Sequence, residues 1–191
     1  LVGSEMCIRD STMTLDGITY TFPLGDALTV MVGDSTDVSA LYSTACTYSA
    51  FTDLLGNCGS GTAAGLGGGS AFTGSPSSAT AAASYDFGNG FTVAGGVSAA
   101  GGDTVGLLTN ESLDVYGVQA AYNTDSLGVS LSYAMTETSK TAETTFFGIN
   151  AYYSLDGGPS LSVGFESEDP DASAEVTGYF IGLTWVEFGP G

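Results

Sequence analysis

The sequence contains no histidine, and only two of its 191 residues are lysine or arginine. The missing imidazole excludes Ser-His and Cys-His nucleophile pairs and histidine metal ligands, so we expect neither an enzyme nor a cofactor or resident metal. Two basic side chains cannot neutralise a phosphate backbone, which excludes nucleic acid as a partner. No run of apolar residues approaches the length of about 18–20 that a transmembrane helix needs, so a membrane-spanning form of this chain would have to use β-strands.

Charge is scarce and almost all of one sign. Charged residues make up 12% of the chain, of which 21 are Asp or Glu, and the formal net charge is −19. Such acidity alone would fit a disordered chain, but ten Phe, ten Tyr and a hydrophobic fraction of 43% oppose disorder. The length fits one folded domain.

The first eleven residues, LVGSEMCIRDS, are set aside from the fold argument. They resemble the translated adapter or linker segment found at the ends of shotgun-derived reading frames, although a short natural segment is the alternative. We therefore place the domain at residues 12–191 and expect the natural start of the protein to lie upstream. Of the three cysteines, this leaves Cys46 and Cys58.

Apolar and polar residues alternate with a period of two along most of the chain, which indicates strands with one apolar face. Several of these segments have nine to eleven residues, longer than the globular mean of about five to six. The alternation predicts nine strands, at residues 14–22, 28–34, 79–87, 91–99, 113–123, 127–135, 145–155, 160–167 and 175–186.

The connections between these strands alternate between short and long. Short connections such as Gly88-Asn89-Gly90 consist of turn residues, whereas the connection at 34–78 is the longest. Tight periplasmic turns and longer outer loops are typical of outer-membrane barrels. We therefore predict an all-β, antiparallel up-and-down meander that forms part of a transmembrane β-barrel. The alternative is a soluble, secreted β-sandwich binding protein, which would bury its apolar face.

Aromatic residues gather at the short-turn ends of the predicted strands. Rings suit the headgroup region of a bilayer, so this end is predicted to form a periplasmic aromatic girdle. A general preference of aromatic residues for strands is the alternative, but it predicts no bias towards one end. The predicted interface aromatics are Tyr20, Phe22, Tyr85, Phe87, Phe91, Tyr122, Tyr153 and Trp185.

The segment Gly164-Phe165-Glu166-Ser167-Glu168-Asp169-Pro170, followed by Gly178 to Trp185 and Gly189-Pro190-Gly191, resembles the porins of cyanobacterial outer membranes. These are related to carbohydrate-selective porins and are often described as iron-uptake porins. The resemblance covers about Thr14 to Gly191 and implies a homotrimeric barrel of about sixteen strands in an outer membrane of the Gram-negative type. It implies contact with outer-membrane lipid and passage of small solutes. It also implies that this chain is a fragment of about nine strands that lacks the family's amino-terminal periplasmic domain.

The predicted function is passive diffusion of small hydrophilic solutes, with a preference for cations, including iron, and with passage of small sugars. Carboxylates on a channel wall attract cations and repel anions. A structural or adhesive outer-membrane barrel without an open pore is the alternative. The predicted pore-lining acids are Asp16, Asp86, Asp114, Glu166 and Glu187.

The connection at 34–78 is too long to serve only as a link between two strands. It is predicted to bend inward and narrow the channel, with Asp34, Asp37 and Asp53 at its rim, unless it only screens the outer mouth. An oxidising exterior would permit a disulfide between Cys46 and Cys58, with two free thiols as the alternative. The acidic run at 168–171 suits either a divalent cation or, more simply, a solvated outer loop.

Overall fold

Nine strands in one antiparallel sheet make up the computed structural model, which describes residues 18–34, 36, 41–42, 78–101, 105–106, 108–110 and 112–184. Their order in the sheet is their order in the chain, so every strand is paired with its sequence neighbours. The strands are β1 (Ile18–Leu24), β2 (Leu28–Asp34), β3 (Ser78–Asp86), β4 (Phe91–Ala100), β5 (Leu113–Asn123), β6 (Leu127–Ser139), β7 (Ala142–Ser154), β8 (Ser160–Pro170) and β9 (Val176–Thr184).

The predicted meander is confirmed, and the main differences lie in β6, β7 and β8. The predicted loop at 136–144 is instead the end of a hairpin, in which Ser139 pairs with Ala142 and only residues 140 and 141 form the turn. A bulge between Glu137 and Ser139 absorbs a shift in register there. Strand β8 continues to Pro170, so the first three residues of the acidic run belong to it. These extensions are polar on both faces, so they carry no apolar alternation to mark them.

The short turn between β3 and β4 shows why the sequence folds back at this point. Gly88 and Gly90 have positive φ angles of 74° and 90°, which side chains with a Cβ rarely adopt. The Asp86 carboxylate accepts a hydrogen bond of 2.8 Å from the Gly88 amide, and the Asn89 side chain accepts one of 3.2 Å from Phe91. These local bonds satisfy backbone amides that the sheet does not reach.

The large apolar side chains of this sheet are exposed instead of buried. Val129, Leu131, Ile149 and Val163, which a β-sandwich would bury between two sheets, are all exposed by more than a third of their surface. The buried side chains are mostly small, and the described residues form a single sheet with no second layer over its apolar face. Among the described residues, no helix has the length and hydropathy needed to cross a membrane.

Candidate membrane surface and channel wall

One face of the sheet, here called the apolar face, presents unbroken rows of hydrophobic side chains. Successive strands pair so that one row crosses the sheet from Val93 on β4 to Tyr179 on β9. Its central member, Leu131, is 46% exposed. Soluble monomers rarely expose apolar patches larger than a few hundred Å², so this face requires an apolar environment. The full row is Val93, Ala120, Leu131, Ile149, Phe165 and Tyr179.

The opposite face, here called the polar face, carries mostly small, uncharged residues at the alternate positions, together with a few larger or charged ones such as Tyr152 and Asp86. Ser132 is only 3% exposed, and its hydroxyl accepts a hydrogen bond of 3.1 Å from the Gln119 amide. Thr80 and Ser98 share a hydroxyl hydrogen bond of 2.8 Å further along the sheet. The polar face is therefore the sheltered face, which inverts the polarity of a water-soluble sheet and matches the wall of a membrane barrel.

Aromatic side chains lie on the apolar face at the short-turn ends of the strands. Phe91 and Tyr122 are cross-strand partners whose ring centroids are 4.5 Å apart. Tyr85 and Phe87 make an edge-to-face contact with centroids 4.8 Å apart. Of the eight predicted interface aromatics, the structure places six at this end, Tyr20 lies four residues before the end of β1, and Trp185 lies outside the described residues. The six are Phe22, Tyr85, Phe87, Phe91, Tyr122 and Tyr153.

We expect the Phe91–Tyr122 ring pair to stabilise the short-turn end by about 0.5–1.5 kcal/mol beyond the burial of the two rings. A double-mutant cycle of Phe91→Ala and Tyr122→Ala, read by denaturant unfolding in lipid vesicles, should give a coupling of that size. Phe91→Ala combined with Phe165→Ala is the matched control, because these rings lie on strands that do not pair. Additive losses in both cycles would show that the close ring contact contributes nothing.

The outer end of the apolar face carries carboxylates where the apolar rows stop. The Asp114 amide donates a hydrogen bond of 3.1 Å to the Glu137 carboxylate, and Glu137 pairs with Glu143 on the next strand. Glu143 in turn receives a backbone bond from Asp171 and donates its own amide to the Asp171 carboxylate. This belt of four carboxylates marks the outer edge of the apolar band.

Asp114 therefore lies on a different face from the one that the sequence analysis gave it. It shares the face of Tyr116, whose hydroxyl donates to its carboxylate at 3.2 Å, and not that of Gly117 and Gln119. Ser112 donates a second bond of 2.8 Å, and the carboxylate group is sheltered, with the residue 2% exposed. A polar pocket of about 360 Å³ surrounds it, lined also by Lys140 from the β6–β7 turn. The error arose because alternation was interpreted by polarity, whereas the parity of residue numbers determines the face.

Of the other four predicted pore-lining acids, two lie at polar-face positions and two lie outside the described residues. Asp86 lies on the polar face at the short-turn end of β3, where it is exposed. Glu166 occupies a register position between Gly148 and Gly178, in the row that contains Gln119 and Ser132. The described residues include neither Asp16 nor Glu187.

The beginning of the long connection turns over the polar face. The Thr80 hydroxyl on β3 donates a hydrogen bond of 2.9 Å to the Thr36 carbonyl, although Thr36 comes only two residues after β2. Tyr42 is half-buried against Gly117 on β5, where a Cβ added to the glycine would overlap the phenol oxygen. Burial raises the pKa of the Tyr42 phenol above its usual value, so the side chain stays neutral.

Several predicted residues of this connection lie outside the described part of the chain. Asp34, the last residue of β2, is exposed at the outer end of the sheet. Asp37, Asp53, Cys46 and Cys58 all fall in undescribed stretches, so the disulfide and the two rim acids stay predictions.

The acidic run does not gather its carboxylates. Glu168 and Asp169 are consecutive residues of β8 and so point to opposite faces. The Asp171 carboxylate accepts a hydrogen bond from the Glu143 amide. Within the described stretches, no three His, Cys, Asp or Glu side chains come together as metal ligands.

Three side chains with structural roles at this site were missed by the sequence analysis. Glu137 and Glu143 continue the parity of Met135 and Thr145, but the predicted strands ended before reaching them. Tyr42 contacts a strand 75 positions further along the chain (117 − 42), and no local pattern signals such a contact.

An antiparallel meander with lipid-compatible rows on one face, small polar residues on the other and aromatics at one end defines the wall of an outer-membrane β-barrel. The chain belongs to the Gram-negative porin family, whose family model matches residues 6–189. That match begins inside the eleven residues set aside above. No curated protein matches the chain.

Proposed function

We propose that the protein is a passive channel for small hydrophilic solutes that prefers cations. The observation that carries this proposal is the polarity of the sheet, in which apolar rows face away from a sheltered wall of Ser, Thr, Asn and Gln. Such a wall offers hydrogen-bond partners to water and to hydroxyl-bearing solutes without fixing any one of them. Membership in a porin family supports the same function.

The cation preference rests on charge. The chain has 21 acidic and two basic residues, so carboxylates facing water inside the channel have almost no positive partners. Asp86 and Glu166 are the described candidates on the polar-face register, and Asp16 and Glu187 are further candidates. We expect inorganic cations, including iron, to be favoured over anions, whereas small neutral sugars pass by size alone.

The reversal potential of the protein in planar lipid bilayers under a KCl gradient tests this preference. We expect the sign that corresponds to potassium as the more permeant ion. The preference should fade with rising salt, since the screening length falls from about 30 Å at 0.01 M to about 3 Å at 1 M. A potential that favours chloride at low salt would contradict the cation-preferring channel.

Two matched variants show which carboxylate causes the cation preference. Glu166→Gln should weaken the cation preference at low salt, because its register row crosses the polar face. Asp114→Asn is the control and should leave the reversal potential unchanged, since Asp114 lies on the apolar face. If neither variant shifts the potential, the rim acids Asp34, Asp37 and Asp53 become the candidates for selectivity.

A barrel without an open pore is the second candidate, and one observation favours it. Polar-face side chains such as Ser130 and Ser162 are only 1% exposed, so the wall is crowded at these positions. A closed barrel of this kind would insert into bilayers without conducting. Absence of any single-channel steps from correctly inserted protein would support it over the channel.

The proposal also covers the domain bounds, the type of porin and the oligomeric state. We place the barrel domain at residues 12–191, in a porin of the cyanobacterial carbohydrate-selective and iron-uptake type that assembles as a homotrimer. These features rest on the resemblance of the segment from Gly164 to Gly191 and on the family match. Crosslinking of the protein in outer membranes would reveal three linked copies.

A further inference from the structure

The polar pocket around Asp114 contains charges of both signs. Two carboxylates, Asp114 and Glu137, and one ammonium group, Lys140, line its volume of about 360 Å³. Lys140 is the single basic residue in the described part of the chain. Asn110 and Thr109, from the connection between β4 and β5, add an amide and a hydroxyl group to the lining. The pocket can therefore receive a ligand that carries a positive and a negative group.

The Asp114 carboxylate is buried without a positive partner. Both of its hydrogen-bond donors, the Ser112 and Tyr116 hydroxyls, are neutral. Within the described stretches, no basic side chain forms an ion pair with it. A buried carboxylate is costly unless a cation compensates it, and its two oxygens have about four acceptor sites, of which two are used. This side of the pocket is therefore complementary to an ammonium group.

An apolar groove begins next to the polar pocket on the same face of the sheet. It has a volume of about 350 Å³ and lies around Ala120, whose register partners are Val93 and Leu131. The alanine methyl group is shorter than its neighbours, which leaves the depression between them. Tyr116 lines the polar pocket and Val118 lines the groove, and two residues of a strand span about 7 Å. The two cavities therefore follow one another along β5, with the polar one at the outer end.

We propose that the polar pocket and the apolar groove together bind one phospholipid whose headgroup carries a primary ammonium. The ammonium donates hydrogen bonds to the carboxylates of Asp114 and Glu137, the phosphate lies at Lys140, and one acyl chain fills the groove at Ala120. A primary ammonium has three N–H donors, whereas a quaternary one has none. A lipid with phosphate as its only charged group would bring an anion to two carboxylates without a cation to compensate them. Binding of this lipid does not depend on whether the barrel conducts.

Native mass spectrometry of the protein in mild detergent, titrated with phospholipids of identical acyl chains, tests the headgroup. Phosphatidylethanolamine should bind more tightly than phosphatidylcholine or phosphatidylglycerol. Asp114→Asn with Glu137→Gln should weaken its binding by about tenfold, the size expected for a lost hydrogen bond to a charged group. Asp125→Asn with Asp156→Asn is the matched control and should have no effect, because both residues lie in short turns at the opposite end of the sheet. Lys140→Gln should weaken phosphatidylethanolamine and phosphatidylcholine alike, since both carry the phosphate.

A second pair of variants tests the groove. Ala120→Phe should fill the depression and weaken phosphatidylethanolamine binding, whereas Ala151→Phe should not, because Ala151 lies on the apolar face outside the groove. Free phosphoethanolamine, which lacks acyl chains, should not displace the lipid.

Three results would overturn the proposal. They are equal binding of the three phospholipids, unchanged binding in the Asp114 and Glu137 double variant, and a preference for phosphatidylglycerol that requires added Mg²⁺. Lys140 lies in an exposed turn and Ala120 on the apolar face, so their variants decide the matter even if the carboxylate pair is needed for folding.

Discussion

Leu131→Arg is expected to destabilise the inserted protein by about 2–4 kcal/mol, the cost of an arginine on the lipid face at the bilayer midplane. Leu131 lies within an unbroken apolar row and is 46% exposed, so the substitution places a charge in lipid without disturbing a packed core. In a soluble sheet with the same exposure, arginine at this position would cost almost nothing. The size of the loss therefore reports which solvent covers the apolar face.

Leu127→Arg provides the matched control for this prediction. Leu127 is the first residue of β6 and lies on the same face, four residues nearer the short turn. At about 3.3 Å per residue it is about 13 Å from Leu131, at the level of the aromatic rings. Arginine near an interface costs only about 0–1 kcal/mol. Denaturant unfolding in lipid vesicles measures both losses, and equal values would contradict a lipid-facing surface.

Gly128→Val is expected to cost about 1–3 kcal/mol through overpacking of the polar face. A Cβ at Gly128 would overlap the Tyr152 ring and lie 2.6 Å from the Asn123 side-chain oxygen. The ring cannot move aside without loss, because Tyr152 is almost fully buried and its hydroxyl donates a hydrogen bond of 3.0 Å to the Thr124 carbonyl. That bond ties β7 to the short turn between β5 and β6.

A double mutant tests whether Gly128→Val destabilises the protein by competing with the Tyr152 ring for space. Combining Gly128→Val with Tyr152→Ala should cost less than the sum of the two single losses, because the new valine fills part of the space that the ring leaves. Fluorescence of the single tryptophan during denaturant unfolding provides the readout. Strict additivity would mean that Gly128 and Tyr152 do not compete for the same space. Tyr152→Phe isolates the hydrogen bond and should cost about 0.5–1.5 kcal/mol.

Strand positions could be predicted from the sequence because lipid and lumen impose opposite demands on alternate residues. Strand β5 was predicted at 113–123 and is found there, since Tyr116, Val118 and Tyr122 alternate with small or polar residues. Beyond the apolar band this contrast disappears. The segment from Thr136 to Thr144 is polar on both faces, so its hairpin was mistaken for a loop.

The faces of individual acids were harder to predict than the strands. Asp114 is polar but belongs by parity with Tyr116, and a carboxylate is tolerated there because the apolar rows have already ended. The contact of Tyr42 with Gly117 could not be predicted at all. It depends on how the chain folds back over four strands, and neither residue carries a local signal of it.

In this sheet, strands pair only with strands that are adjacent to them in the sequence. This restricts how the size of such a barrel can change during evolution. Each strand from β2 to β8 bonds to its predecessor and its successor, so a hairpin is a self-contained unit of the wall. Loss of β6 and β7 together would bring β5 and β8 side by side, still antiparallel and still with alternate residues facing lipid. Duplication of the same pair would widen the barrel by two strands. The circumference of the pore can therefore grow or shrink by whole hairpins, while the remaining strands keep their sequence pattern.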